Sequence, residues 1–238
     1  MKLFYTLYLN KMYDGNSSDI QFTIDETSKQ VEQPDKIILP LKPHQLAMIQ
    51  TMLDLEDNIN KDIFGHLSNY DEERTFQTDF GALCDKVGSG KSLVVLGLIA
   101  TKKTIPIKAK CINSYGSIIR EYSKFKYNLP INLLTVPHGI INQWENYILE
   151  QTDLECLFIK NIKELEKFKN NVNDFLETGN LDNFQQDLMC VTSTNYNKVC
   201  EYLHNISINR LLVDEVETIR IPASKKIRAE FTWFISSS

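Results

Sequence analysis

LCDKVGSGKS, residues 83–92, is the stretch that decides how this chain folds. An apolar segment stops, a glycine-rich turn follows, and an amphipathic helical pattern then runs to residue 101. Gly88 and Gly90 allow backbone conformations that direct N–H groups at phosphate oxygens, and a helix N-terminus adds partial positive charge. In such a loop Lys91 reaches the β- and γ-phosphates and the Ser92 hydroxyl coordinates Mg²⁺. The stretch predicts a phosphate-binding loop.

A pair of carboxylates far downstream supplies a second signal. The apolar run at residues 210–213 ends in Asp214 and Glu215. Phosphoryl transfer needs an acidic group near Mg²⁺ and a group that orients the attacking water, and these residues suit the two roles in that order. Taken alone, the acidic pair also fits a loop start or a helix cap, and residues 88–92 also fit an ordinary helix-capping turn. Together in one chain, the two signals predict a nucleotide site.

Short apolar segments alternate with helical patterns around these two signals, which indicates an α/β fold with a mostly parallel central sheet and helices on both faces. The run at residues 211–213 is apolar on both faces, as in a central strand covered on both sides. The predicted strands are residues 81–84, 132–136, 154–159, 188–192, 210–213 and 231–235. The predicted helices are residues 90–101, 139–150, 162–176 and 194–204, with another starting at Pro43.

Two other segments stand apart from this alternation. Residues 1–36 contain two β-rich stretches, residues 3–9 and 20–24, around a turn-forming cluster at residues 14–17, which predicts a small N-terminal β extension. Residues 54–74 hold seven acidic and two basic side chains, which predicts a solvated insertion.

Composition narrows the possible classes of protein. Of the 238 residues, 42% are hydrophobic and 24% are charged, as in soluble globular proteins, and no apolar run approaches the length of a membrane span. The net charge of −5 provides no global attraction for nucleic acid, so any such binding is local. The five cysteines are widely spaced without a C-x-x-C pair, which favours reduced thiols, and the N-terminus does not resemble a signal peptide. These features predict an intracellular protein without membrane association.

The order of the motifs resembles the Swi/Snf-type translocases of helicase superfamily 2. LKPHQ at residues 41–45 resembles the adenine-side motif of that family, which also carries Asp at the position of Asp85 in the phosphate loop. Four further stretches resemble its motifs Ia, Ib, the DEAD/DEAH box and motif III: NLLTVPHGIINQW at residues 132–144, VTSTNY at 191–196, DEVE at 214–217 and FTWFISSS at 231–238. The combination is also similar to helicases of large DNA viruses.

The resemblance implies a RecA-like first lobe over residues 37–238, with ATP and Mg²⁺ as ligands and nucleic acid, chiefly double-stranded DNA, as partner. It implies that Gln45 reads adenine and that Pro137, His138, Thr192, Ser193 and Thr194 contact the nucleic acid. The implied nucleotide-binding residues are Gln45, Asp85, Gly88, Ser89, Gly90, Lys91 and Ser92; the implied metal ligands are Ser92 and Asp214; the implied catalytic residues are Lys91, Asp214 and Glu215.

Two departures from the family pattern change what is expected of this chain. Val216 and Glu217 replace the usual Ala-His or Ala-Asp, whose last residue in the family couples nucleotide state to motif III. Glu217 is still able to accept hydrogen bonds from Ser236 or Thr232, so Glu217, Ser236 and Ser237 are the candidates for this coupling. The sequence also stops at the motif III-like segment, so a second lobe in cis, with its arginine finger, is expected to be required for turnover. The isolated chain is expected to bind ATP and to hydrolyse it hardly at all.

The alternatives belong to other functional classes. A P-loop phosphotransferase would need an arginine-rich lid, which the sequence does not show, and a non-catalytic nucleotide-binding module would not need intact acidic residues. Residues 101–127 carry seven basic side chains against one acid, with four aromatics interleaved. This segment fits either a nucleic-acid contact surface or a solvated basic face. His138 also fits a polar helix start, and Trp144 and Trp233 fit aromatics of the core or of the lobe surface.

Overall fold

Ten strands and five helices make up the part of the chain that the computed structural model describes, which is residues 3–7, 20–24, 27–57, 79–107, 110–115, 119–123 and 126–237. The strands are β1 Leu3–Leu7, β2 Ile20–Ile24, β3 Phe80–Cys84, β4 Lys110–Tyr115, β5 Ile119–Ser123, β6 Tyr127–Val136, β7 Cys156–Ile159, β8 Leu188–Thr192, β9 Ile206–Val213 and β10 Arg228–Ser236. The helices are α1 Pro43–Asp57, α2 Lys91–Thr101, α3 Ile141–Gln151, α4 Ile162–Thr178 and α5 Ser193–Tyr202, with 3₁₀ turns at His138–Ile140 and Asp182–Phe184.

Six of the strands form one parallel sheet in the order β3-β10-β9-β6-β8-β7. Helices α1, α2 and α3 contribute to the core on one face, and α4 and α5 contribute to the core on the other. Strand β6 shows the two-residue period of this arrangement, because Leu134 and Val136 join the first core whereas Leu133 joins the second. Strand β9 is buried along its whole length, as a central parallel strand must be. The predicted α/β fold is confirmed.

Parallel strands bring their carboxyl ends to one edge of the sheet, and ligands of open α/β sheets bind at that edge. Strand β3 ends there at the phosphate loop, and β9 ends at Val213, directly before Asp214. Strand β6 ends at Val136, directly before Pro137, β8 ends at Thr192, and β10 ends at Ser236. The topology therefore gathers the sequence motifs that were predicted to form the site, although they lie far apart in the chain.

The N-terminal strands and the acidic segment test two further predictions. Strands β1 and β2 pair in antiparallel fashion, as the predicted hairpin requires, while its turn at residues 14–17 lies outside the described residues. The prediction of a solvated insertion at residues 54–74 is wrong at its start, because residues 54–57 belong to α1 and Glu56 is only 1% exposed. Residues 58–74 lie outside the described part of the chain.

Glu56 is buried because it meets a complete set of partners in the sheet. It accepts hydrogen bonds from Arg210 Nε and from a terminal guanidinium nitrogen of Arg210, both at 2.6 Å, and from Trp233 Nε1 at 2.9 Å. The second terminal nitrogen of Arg210 donates to the Asn132 side-chain oxygen at 3.0 Å and to the Lys103 carbonyl at 3.2 Å. Buried charges are tolerated only when they are paired and hydrogen-bonded in this way. The pair joins the end of α1 to the centre of the sheet.

Close packing on this face depends on two glycines. A Cβ atom at Gly97 would lie 2.4 Å from Ile49 Cδ1, so this position of α2 must lack a side chain for α1 to pack against it. A Cβ atom at Gly81 would lie 2.3 Å from Cζ3 of Trp233 on the neighbouring strand.

None of the described helices is both long enough and apolar enough to cross a membrane.

Candidate active site

The turn between β3 and α2 has the backbone geometry of an anion-binding loop. Gly88 and Gly90 have φ angles of 80° and 87°, in the left-handed region that favours glycine. Helix α2 begins at Lys91, and none of the described side chains caps its N-terminus. An ordinary capping turn would satisfy those N–H groups with a side-chain oxygen. The geometry therefore favours the phosphate loop over the capping turn.

Two neighbouring strands and α1 hold this loop in place. Asp85 N donates to the Ser236 carbonyl at 3.4 Å, which ties the loop to the end of β10. Gln45 is buried and donates from Nε2 to the Gly90 carbonyl at 3.4 Å, while its Oε1 accepts from Lys42 N at 2.9 Å. Gln45 therefore braces the loop itself. Its predicted contact with adenine stays a prediction.

A cavity of about 320 Å³ opens directly at the loop. This volume lies within the range of small-molecule sites. The loop and α2 form one wall, the acidic pair forms another, and the start of α3 forms a third. The lining residues are Val87, Gly88, Gly90, Lys91, Ser92, Ile140, Gln143, Trp144, Tyr147, Asp214, Glu215 and Ser237. The structure thus brings the phosphate loop and the acidic pair together at one cavity, as the sequence analysis predicted.

Lys91 lies folded back over the loop. Its ammonium donates to the carbonyl oxygens of Asp85 at 2.7 Å and Lys86 at 3.0 Å. These neutral acceptors are weaker partners for an ammonium than phosphate oxygens are. The side chain is only partly buried, so it can exchange these carbonyls for an anion in the cavity.

The acidic pair sits at the turn after β9. Asp214 is 8% exposed, and its Oδ2 accepts from Trp144 Nε1 at 2.8 Å while its Oδ1 accepts from Glu215 N at 3.0 Å. Burial raises the pKa of the Asp214 carboxyl, and the two hydrogen bonds only partly counteract that effect. Glu215 has a φ angle of 52°, an unusual conformation for a side-chain-bearing residue and one that tends to occur at functional sites.

The residues present fit a nucleotide with Mg²⁺. The loop carries an uncapped helix N-terminus and a lysine, and the buried Ser89 hydroxyl lacks a hydrogen-bond partner among the described residues. A phosphate group would satisfy all three. Across the cavity, Mg²⁺ would add a positive charge beside the buried Asp214 carboxylate, whose pKa burial raises. Ser92 and Asp214 line the same cavity, as the predicted metal ligands must.

The three predicted coupling residues lie together at the end of β10. Glu217 accepts a hydrogen bond from Ser237 N at 3.0 Å. Burial alone would raise the pKa of the Glu217 carboxyl, but hydrogen bonds from backbone N–H groups and the Ser236 hydroxyl, together with the Lys91 charge, lower it overall. The expected hydrogen bonding between Glu217 and this segment is present in the structure, while its coupling role stays a prediction.

The predicted nucleic-acid residues lie where the neighbouring strands β6 and β8 end: Pro137 and His138 follow β6, Thr192 ends β8, and Ser193 and Thr194 begin α5. Pro137 directly precedes the 3₁₀ turn, and His138, which begins it, is exposed. Thr192 is fully buried, and its hydroxyl is 2.9 Å from the Thr194 hydroxyl, so only the Thr194 side chain of this pair reaches the surface. Ser193, between them, is partly buried. The five residues share one edge of the sheet.

The basic segment at residues 101–127 is attached elsewhere. Helix α2 runs from the phosphate loop to the opposite edge of the sheet, and β6 begins at that opposite edge, so the β4–β5 hairpin between them is connected there. Lys102 forms an ion pair with Asp57, and Lys103 lies 3.4 Å from Asp187. These two lysines are therefore held within the lobe.

Sequence reasoning missed the contribution of α3 to the cavity. Gln143, Trp144 and Tyr147 of α3 line it, at the spacing of one helix face, together with Ile140 at the end of the preceding 3₁₀ turn. Trp144 was interpreted as a core aromatic, and it is indeed 4% exposed, but its N–H reaches the predicted metal ligand. The helical spacing after the motif Ia-like segment was the available signal.

Comparison with known proteins agrees with this geometry. The family model of the SNF2-related domain matches residues 44–235. A protein of Acanthamoeba polyphaga mimivirus that carries the name putative helicase is 32% identical over 154 residues, which are 57% of this chain and 18% of that protein. The SWI2/SNF2 ATPase core of Sulfolobus solfataricus, solved in complex with double-stranded DNA, superimposes with a TM-score of 0.54 at 13% identity and covers 88% of this chain and 34% of its own. The chain thus spans a minor part of each of these proteins.

Proposed function

The chain belongs to the family of SNF2-related domains, and from this we propose that it is the ATP-binding lobe of a superfamily 2 translocase. In this proposal ATP hydrolysis drives movement on nucleic acid once a second lobe closes over the nucleotide. The observation that carries it is the single cavity at which the phosphate loop, Lys91 and the acidic pair meet. The names of the two similar proteins, a putative helicase and a SWI2/SNF2 ATPase core, support the proposal.

Each residue of the cavity has a defined task in this proposal. The N–H groups of the loop and the start of α2 bind phosphate oxygens. Lys91 exchanges its carbonyl partners for the β- and γ-phosphates, and Ser92 and Asp214 hold Mg²⁺, which neutralises charge that develops on the phosphates. Glu215 orients the attacking water. It follows β9 with a left-handed backbone conformation and lines the cavity.

The described wall of the cavity offers little positive charge to balance the phosphates of a nucleotide. Among the described residues that line it, Lys91 is the only cation. Arg210 is committed to the buried pair with Glu56 and does not line it. Phosphoryl transfer gains about 10³–10⁵ in rate from an arginine finger. We therefore assign the arginine to a second lobe that docks in cis against the open side of the cavity.

The partner in this proposal is double-stranded DNA. The Sulfolobus core with the same fold was solved with such DNA. The contact surface is the edge that holds Pro137, His138, Ser193 and Thr194, where exposed hydroxyl, imidazole and backbone groups are suited to phosphate contacts, which position a protein on DNA without reading its sequence. Thr192 is fully buried, so it supports this surface only indirectly, through its hydroxyl, which lies 2.9 Å from the Thr194 hydroxyl.

Calorimetric titration with a non-hydrolysable ATP analogue in the presence of Mg²⁺ tests the proposed nucleotide site. Lys91→Ala is expected to weaken binding about 10- to 100-fold, because a hydrogen bond to a charged group contributes about 1.5–3 kcal/mol. Lys167→Ala, which removes an exposed lysine from α4, is the matched control and should bind as the wild type does. Equal affinities for wild type and Lys91→Ala would refute the phosphate-loop assignment.

A further inference from the structure

Helix α3 connects two parts of the proposed machinery. It follows directly from the 3₁₀ turn His138–Ile140, which holds a predicted nucleic-acid contact, and one face of it lines the nucleotide cavity. The residue of that face that is most deeply buried is Trp144, at 4% exposure, whereas Gln143 is exposed and Tyr147 is partly buried. Trp144 lines the cavity but is otherwise buried, so packing gives its ring a defined orientation.

The indole N–H of Trp144 is directed at the carboxylate that the proposed function assigns to Mg²⁺. Trp144 Nε1 lies 2.8 Å from Asp214 Oδ2, and the bond is buried. The other oxygen, Oδ1, accepts from Glu215 N at 3.0 Å. A carboxylate has about four lone-pair positions, so these two donors fix the plane of the group and leave one position on each oxygen for other partners. One donor is local in sequence, and the other comes from a different element.

We propose that Trp144 is a positioning residue that orients the Asp214 carboxylate for Mg²⁺·nucleotide. The proposal rests on the proposed function, since it presumes a Mg²⁺·nucleotide site in this cavity. Groups that hydrogen-bond to metal-binding side chains fix their orientation, and removing such a group costs about 10- to 100-fold in metal affinity or activity. Because α3 follows directly from the 3₁₀ turn that holds the predicted nucleic-acid contact, this hydrogen bond links that segment to Asp214.

The chain contains its own matched control. It has two tryptophans, and both are buried and donate to a carboxylate. Trp233 Nε1 donates to Glu56 Oε1 at 2.9 Å, in the network beneath α1, and Trp233 does not line the cavity. Trp144→Phe and Trp233→Phe thus remove the same group from equally buried environments, and only the first removes a donor from Asp214.

The experiment measures the affinity of adenylyl imidodiphosphate for the full chain with Mg²⁺ and with EDTA. The ratio of the two affinities isolates the contribution of the metal. Trp144→Phe is expected to reduce that ratio about tenfold while leaving the affinity in EDTA unchanged, and Trp233→Phe is expected to preserve the ratio. An unchanged ratio in Trp144→Phe, or an equal loss of affinity with Mg²⁺ and with EDTA, would overturn the proposal.

A double-mutant cycle separates positioning from packing. In an Asp214→Asn background the carboxylate is already absent, so adding Trp144→Phe should have no further effect on the ratio. A packing role would instead give the same loss of affinity in both backgrounds. Wild-type protein that fails to bind the analogue under either condition would refute the proposed function and this proposal with it. Wild-type binding that Mg²⁺ strengthens, with no effect of Trp144→Phe, would refute this proposal alone.

Fluorescence gives a second measurement that does not require Trp144→Phe to fold. In Trp233→Phe, Trp144 is the sole tryptophan, so emission reports on the indole that contacts Asp214. Titrating Mg²⁺ into this variant with the analogue present should change the emission, because the charge on the acceptor carboxylate is then shared with the metal. Asp214→Asn in the same background should abolish the change. Emission that Mg²⁺ does not alter would overturn the proposal.

Discussion

Replacing Glu56 with Gln removes the charge from the most deeply buried ion pair of the described structure. The side chains of Glu56 and Arg210 are both 0% exposed. Gln is the same size as Glu but offers one oxygen and an NH₂ group, so one of the two 2.6 Å hydrogen bonds from Arg210 becomes a contact between donors. The guanidinium is left buried without a counter-charge.

The expected loss in the free energy of unfolding is about 3–5 kcal/mol, the cost of removing one partner of a buried pair. This is a large share of the ~5–15 kcal/mol by which a typical domain is stable. Urea denaturation followed by circular dichroism measures it directly. With a slope of ~3 kcal/mol per molar urea, the midpoint should fall by about 1–1.7 M.

Two comparisons make the test specific. Glu201→Gln breaks the exposed pair with Lys225 and should leave the midpoint unchanged. The double variant Glu56→Met with Arg210→Met replaces both charges with apolar side chains and should be no less stable than Glu56→Gln, since paired removal avoids the uncompensated charge. A midpoint for Glu56→Gln within about 0.3 M of wild type would refute the view that the two side chains of the pair depend on each other. So would a loss of stability in the double variant equal to the sum of the losses in Glu56→Met and Arg210→Met alone.

Three further outcomes follow from the described contacts. Burial by itself would raise the pKa of the Asp187 carboxyl, but the 2.6 Å hydrogen bond from Lys36 and its other partners lower it overall. Asp187→Asn should therefore have a smaller free energy of unfolding than wild type at pH 7. In acid denaturation this difference should disappear as the pH falls below ~4 and the Asp187 carboxylate is protonated. Gly81→Ala places a Cβ 2.3 Å from a ring carbon of Trp233 and should cost about 1–3 kcal/mol in urea denaturation, which an unchanged midpoint would contradict. Steady-state phosphate release by the 238-residue chain should stay near background with or without DNA, because the described cavity wall contains no arginine; robust turnover that Glu215→Gln abolishes would show that the chain supplies its own.

The sequence alone was sufficient for the features that depend on local patterns. The apolar runs and helical patterns predicted the six strands of the parallel sheet and the helices on both faces, because each element carries its own period. The phosphate loop was predictable for the same reason, since its glycines, lysine and helix start are contiguous at residues 83–92. The place of the acidic pair beside this loop was also predictable, because the carboxyl ends of parallel strands must meet at one edge of the sheet. Element ends were less certain: β6 begins at Tyr127 and β9 at Ile206, several residues earlier than predicted.

The tertiary structure alone decided which distant side chains meet. Glu56 was counted among the acidic residues of a solvated segment, and only the packing of α1 on the sheet shows that it pairs with Arg210, 154 residues away. Trp144 was interpreted as a core aromatic, and only the juxtaposition of α3 with the end of β9 shows that its N–H reaches Asp214, 70 residues away. Local period and composition determine whether a residue faces the core. The partner it finds there depends on strand order and helix placement, because a buried polar group must find its hydrogen bond wherever the chain brings one.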